Sequence, residues 1–309
     1  MAELSLPWAL ACSSAFPLIL VAALERRPDV WQTVATYSKP NEYGEPKVWR
    51  SALRTPWNAY SSLAYYYAGV YALHDIVVVR AQRPPQNCVD VHPHWNVAVG
   101  VASCWVGLAS FMFHASLTER WRVLDAGATM GVSVFGAPLA VYKWLRSSWH
   151  FDAPLLQPLT FAFTLLAFAG CHLLARTPGW SDFVLIPALV GAILIECTAL
   201  ATTKTRDDML VWALYLAIML TGVVLRAADV AVAKQADKHA KKQDAPPIVW
   251  NGSTMLVGCP QCGPVHGPFR HRAWLGHTVW HLLTGAAIAI LVGGSRFVRE
   301  PFCLDSPTE

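Results

Sequence analysis

An all-α, multi-pass membrane bundle is the fold class this sequence predicts, and three observations predict it. Hydrophobic residues make up 54% of the 309 residues and charged ones only 14%, whereas water-soluble domains carry about 25% charged residues. Apolar runs on the order of twenty residues recur along the chain, long enough to cross a bilayer as helices. The segments between them are polar or rich in Pro and Gly, and the mean hydropathy of the whole is +0.35. The net charge of +4 is spread over connectors, so the concentrated basic face of a nucleic-acid binder is missing.

The first apolar stretch, residues 6–24, has no Lys or Arg before it and is interrupted by Pro7 and Pro17. It lacks the basic start of a signal peptide; a signal anchor, an extra span and an interfacial helix all remain compatible with it. Residues 25–55 read as an extramembrane loop, polar at the start (Glu25, Arg26, Arg27) and rich in Pro, Gly and Asn in the middle. Seven runs then have the length of membrane helices: 57–79, 95–117, 124–144, 155–175, 183–202, 209–231 and 273–293. Thr118 to Arg122 reads as a turn between the second and third, and 232–272 as one long basic, then Gly/Pro-rich loop. The chain thus divides into 1–55 (apolar segment and loop), 56–293 (the seven-helix domain) and a tail, 294–309.

Five polar residues inside these apolar runs stand out, because ionisable groups at membrane depth are costly and count as functional candidates. Ser110 and His114 are four apart and share a helix face. Asp125 follows at the start of the next run, and His277 and His281 form an i, i+4 pair that can offer two imidazoles to one metal. Alternation of seven spans brings all five to one membrane depth, although they are far apart in sequence. This order of residues suggests a catalytic zinc site with His114, His277 and His281 as ligands. If they share one ion, their nitrogens should converge within about 4 Å, as Zn–N bonds of 2.0–2.1 Å require.

Asp125 is suited to take a proton from water and pass it to a leaving amine, and Ser110 to donate to an oxyanion or orient the water. Plainer roles remain open: Asp125 as a helix cap, and Ser110 bonded to its own helix. His172 reads as a hydrogen-bonded core histidine, and Trp280 as packing against lipid or the next helix. Glu196 and Asp229 can line a cavity or bond a neighbouring helix. Tyr65, Tyr66, Tyr67 and Tyr71 resemble an amphipathic or interfacial cluster more than a ligand cage. Among eight cysteines only Cys259 and Cys262 have metal-type spacing; without a second pair, a disulfide, a loop clasp or a zinc knuckle are all compatible. Cys104, Cys171 and Cys197 read as buried and inert, while Cys12, Cys88 and Cys303 show no pattern.

The sequence resembles the alkaline ceramidase family, within a membrane hydrolase superfamily that also holds the progestin and adiponectin receptors. The pieces are Ser110 to Leu117, Leu124-Asp125 and Gly276 to Gly285, with a weaker one at Trp57-Asn58-Ala59-Tyr60-Ser61. The resemblance implies a seven-helix fold, zinc on the three histidines, and Ser110 and Asp125 beside it. It also implies a lipid amidase acting on ceramide-like substrates, placed in the endoplasmic reticulum or Golgi membrane. The alternative it leaves open is a zinc-containing receptor of the progestin and adiponectin type. It does not extend to calcium: Thr55 stands where calcium-dependent members carry a Glu, and no acidic cluster precedes it. Ala126 likewise replaces the Glu that usually follows the motif's Asp, which bears on acyl-chain preference. Basic residues close to helix ends favour a lumenal site: Arg120, Arg122 and Arg176 are outnumbered by those at the other side. No protein partner is legible.

Overall fold

The computed structural model describes residues 5–27, 30–31, 52–149, 155–177, 206–242 and 268–295, and among these every regular element is helical. In chain order they are α1 (Leu6–Glu25), α2 (Pro56–His74), α3 (Cys88–Val91), α4 (His94–Ser116), α5 (Glu119–Trp149), α6 (Leu156–Leu174), α7 (Arg206–Lys242) and α8 (Pro268–Gly294). Six of the seven expected apolar runs fall on helices; the run 183–202 lies outside the described residues, as do Glu196, Cys197, Cys259, Cys262 and Cys303. Among the described residues, five helices are long and apolar enough to cross a membrane: α1, α4, α6, and the Ala213–Ala231 and Gly276–Gly294 parts of α7 and α8. The molecule is therefore read as an integral membrane protein. Large apolar side chains lie bare on the outer helices, among them Trp8, Ile19, Leu166 and Val224, a surface that lipid covers and water does not tolerate.

Residues 6–24 resolve into one unbroken helix, and the reason Pro17 is tolerated is visible. Proline has no N–H to give the carbonyl four residues back, which is that of Ser13. The Tyr66 hydroxyl of α2 donates to that oxygen at 3.1 Å, and Ser14 Oγ meets the Tyr67 hydroxyl at 3.0 Å. The proline thus docks α1 on α2. Of the tyrosines read as an amphipathic or interfacial cluster, Tyr66 and Tyr67 hold a neighbouring helix and Tyr65 is buried in the centre.

α2 is the middle of the bundle, packed against α1, α4 and α8, while α4 packs on α5, α5 on α6, and α7 on α8. Small residues let α2 and α4 approach closely, as membrane helices require in the absence of a hydrophobic drive. A Cβ added at Gly69 would lie 2.5 Å from the Gly100 carbonyl oxygen, and one at Gly107 2.5 Å from Tyr66 N.

The turn between α4 and α5 is tighter than the expected Thr118 to Arg122. Leu117 adopts φ 49 and ends α4, and α5 begins at Glu119. Arg122 bonds Glu119 at 2.6 Å and donates to the Ala175 carbonyl at the end of α6 at 3.1 Å. The segment before α2 closes the same end, with Arg54 N to Ala115 O and Thr55 N to His114 O, both 3.0 Å. Arg54 also donates to Ser116 O at 2.6 Å, and burial pulls its guanidinium down to about 10. The long loop expected at 232–272 is shorter, since α7 continues to Lys242 and α8 begins at Pro268. The Ala, Lys and Gln that fill 232–242 are strong helix formers, which lets α7 continue past its apolar part.

At the far end α2 opens into a wider turn, Asp75–Val79, then a tight one, Arg80–Gln82. Arg80 is buried there and pairs with Asp75 at 2.6 Å and with Asp90. It also donates to Val292 O at 2.9 Å, and Asn87 donates to Ser295 O at 2.7 Å. One cation thereby locks the end of α2 to the end of α8 and sets their register. Cys88 in this segment is disulfide-bonded, a pairing that sequence spacing did not suggest. Cys12, Cys104 and Cys171 are free, and Cys104 is only partly buried.

Candidate metal centre

α4 delivers Ser110 and His114 one turn apart near its C-terminal end, and α8 delivers His277 and His281 from one face. All four are buried. The three histidines are held by different causes. α4 is pinned by the 52–55 segment, which bonds the carbonyls of His114 and Ala115 directly. The α8 pair is pressed inward by α7, where Gly222 leaves room for the Trp280 ring: a Cβ there would lie 2.9 Å from it. Arg226 sits over the same ring, 5.8 Å from its centroid. Trp280 thus packs against the next helix, one of the two places expected for it.

The imidazoles of His114, His277 and His281 converge, with one nitrogen from each lying within 4.8 Å of the others. Nε2 of His277 is 3.3 Å from Nε2 of His114. Two ligands on a tetrahedral ion with bonds of 2.0–2.1 Å stand about 3.3–3.4 Å apart, so this pair meets the expected spacing, while the trio as a whole is slightly wider than the ~4 Å anticipated.

The hydrogen bonds behind the rings decide which nitrogens face inward. Ser61 Oγ lies 2.9 Å from Nδ1 of His281 and donates its own proton to Asn58 O at 3.1 Å. Nδ1 of His281 therefore carries the proton and Nε2 offers its lone pair. Thr55 repeats the arrangement on His114: its hydroxyl donates to His114 O at 2.7 Å, leaving its oxygen to accept from Nδ1 at 3.4 Å. Such outer partners are what fix metal-binding histidines. Neutral imidazole lone pairs turned toward a common centre are a donor set for a borderline metal ion such as zinc, and the residues present fit one.

Asp125 lies in the second turn of α5, so it is no cap, and its carboxyl lies close to the Ser110 hydroxyl. Ser110 does not bond its own helix; its hydroxyl oxygen receives Ser62 Oγ at 3.0 Å. Asp125 is the least buried of the five candidates. The structure thus brings together all five residues singled out in the sequence.

It also adds residues that sequence reasoning passed over or noted only in a weak motif. Asn58, Ser61, Ser62 and Tyr65 occupy i, i+3, i+4 and i+7 on α2, a polar stripe on one face that was legible in principle. Thr278 donates to Asn58 Oδ1 at 2.9 Å, and Tyr65 stands edge-on to His281 with centroids 5.7 Å apart. Its hydroxyl is tied to Thr284, which in turn donates to Trp280 O at 2.6 Å. His172 is hydrogen-bonded as expected, its Nε2 accepting from Trp105 Nε1 at 3.2 Å, but it is only half-buried. Asp229 is buried where α7 meets Gly276. Comparison with models of known protein families, with characterised proteins and with solved structures finds no match.

Proposed function

We propose that this chain is a zinc-dependent membrane amidase that hydrolyses the N-acyl bond of ceramide-like lipids, releasing a sphingoid base and a free fatty acid. The observation that carries the reading is three buried imidazoles turned to one centre beside a serine–carboxylate pair, inside a helical bundle with a lipid-facing exterior. The motif resemblance to alkaline ceramidases supplies the substrate class.

Zinc bound by His114, His277 and His281 would supply Lewis acidity toward a carbonyl and acidify water to a pKa of about 7. Asp125 takes the proton from the attacking water as the new C–O bond forms, and later delivers it to the nitrogen as the C–N bond breaks. Such general acid–base transfer is worth roughly 10²–10⁴-fold. A hydroxyl has one proton, so Ser110 orients Asp125 while donating to it, and must turn before it can donate to the oxyanion. Thr55 and Ser61 keep His114 and His281 in the tautomer that leaves Nε2 bare.

The test is purified protein in detergent with a panel of ceramides. Free sphingoid base should appear with wild type and vanish with His277→Ala. Asp125→Asn should still bind zinc when the metal is saturating, and lose turnover. Zinc-replete wild type that cleaves no N-acyl lipid would sink the amidase reading and leave the zinc-containing receptor.

The site is assigned to the lumenal face of an endoplasmic reticulum or Golgi membrane, on the resemblance and on the charges at helix ends. The Cys88 disulfide pulls the other way, because it lies at the opposite end of α4 from His114 and disulfides persist in oxidising compartments. A glycosylation tag in the 25–55 loop should be modified. Modification of a tag near Pro85 instead would reverse the orientation.

A further inference from the structure

The polar face of α2 touches both halves of the centre. Ser61 and Ser62 flank Nδ1 of His281, at 2.9 and 3.3 Å. Their surroundings differ in one respect. Ser61 bonds only the Asn58 carbonyl besides the ring, whereas Ser62, fully buried, reaches both that carbonyl at 2.7 Å and Ser110 Oγ at 3.0 Å. Asp125 lies beside Ser110. A path of hydroxyls therefore leads from the neighbourhood of the carboxylate on α5, through Ser110 on α4 and Ser62, to a histidine on α8. Ser62 is its only link supplied by α2, the helix between them.

We propose that Ser62 is a positioning residue that couples Asp125 to the metal ligand His281, while Ser61 serves only to hold His281. The Ser62 proton has two acceptors, Asn58 O and Ser110 Oγ. With its proton on either acceptor the Ser62 oxygen faces Nδ1–H of His281; with the proton on Ser110, the Ser110 proton is also directed to Asp125, so the charge of Asp125 polarises the whole path. Loss of charge at Asp125 releases this alignment and weakens the grip on the ring. Buried networks of this kind polarise one another, and their members are non-additive.

This rests on the metal reading of the three histidines, and its decisive readout does not need lipid turnover. Zinc affinity of the full-length protein in nanodiscs is measured by competition with a chromophoric chelator, in a cycle of Asp125→Asn and Ser62→Ala. Asp125→Asn alone should change zinc affinity at least about threefold, and by no measurable factor when Ser62→Ala is already present. Ser61→Ala should weaken zinc by about 10–100-fold and leave the Asp125→Asn effect intact. Ser62→Cys, nearly the same size with a far weaker donor, should reproduce Ser62→Ala and guards against a folding defect. In turnover, Ser62→Ala should lower kcat about tenfold or more with KM unchanged. An Asp125→Asn effect that is the same with and without Ser62 would overturn the proposal, as would Ser61→Ala abolishing it equally. No zinc binding by wild type would overturn the metal reading itself, and the coupling with it. Zinc binding with the expected cycle but no amide cleavage would sink only the amidase reading.

Discussion

Gly107→Ala is the substitution on which the close approach of α2 and α4 can be judged. Helix propensity alone favours it, since Ala exceeds Gly by about 1 kcal/mol in a helix interior. The structure reverses the sign. The added Cβ would stand 2.5 Å from Tyr66 N and 2.9 Å from Tyr66 Cα, backbone atoms that cannot swing aside as a side-chain tip can. Ordinary contact begins at 3.4 Å, so the helices must part by about 0.9 Å. Overpacking of this sort costs about 1–3 kcal/mol, enough to cancel the propensity gain and leave a net loss of up to about 2 kcal/mol. Gly107 lies one turn from Ser110, and Tyr66 one turn from Ser62. Carried undiminished, the same displacement stretches the 3.0 Å Ser62–Ser110 bond to about 3.9 Å, beyond hydrogen-bond range. The assay is thermal unfolding in detergent followed by tryptophan fluorescence, with zinc content measured alongside. Gly170→Ala serves as the reference, because a Cβ there meets nothing within 4 Å. The melting temperature should fall with Gly107→Ala and hold or rise with Gly170→Ala. Equal stability and equal zinc in both would refute the packing argument.

The opposite end of the bundle offers two more tests. Arg80→Met removes the cation from between Asp75 and Asp90 and leaves two buried carboxylates, so stability should drop by about 3–5 kcal/mol; a loss below about 1 kcal/mol in denaturant unfolding would mean that the cluster is not dry. His92, between α3 and α4, is held below its ordinary value of 6.5 by burial, then by His94 and Arg146. The unfolded chain takes up that proton at higher pH than the folded one, so stability should fall as pH drops below about 6.5. His92→Gln, which keeps a partner for the Tyr142 hydroxyl now 2.9 Å from Nε2, should flatten that part of the pH profile, and an unchanged slope would assign it elsewhere.

What the sequence determined by itself is the solvent the chain folds in and the residues that do not belong there. Hydropathy and run length sufficed for the helices, because a segment in lipid must satisfy its backbone internally and has few alternatives to a helix. The same economy exposed Ser110, His114, Asp125, His277 and His281, since polar groups at that depth need a reason. α2 was legible as an apolar run, yet its tyrosines, its serines and Asn58 keep it off the set of spans that qualify on hydropathy. Hydropathy averages over a helix, whereas the polar groups of α2 lie on one buried face. Pro17 left residues 6–24 open for a related reason: a helix-breaking residue is tolerated when another helix supplies the missing donor, and Tyr66 was not locatable from sequence. Tertiary structure alone decided the partners of His114 and His281, the tautomers those partners impose, and the clasp at Arg80. Each depends on contacts across tens to hundreds of residues, and hydrogen-bond geometry leaves no periodic trace along a chain.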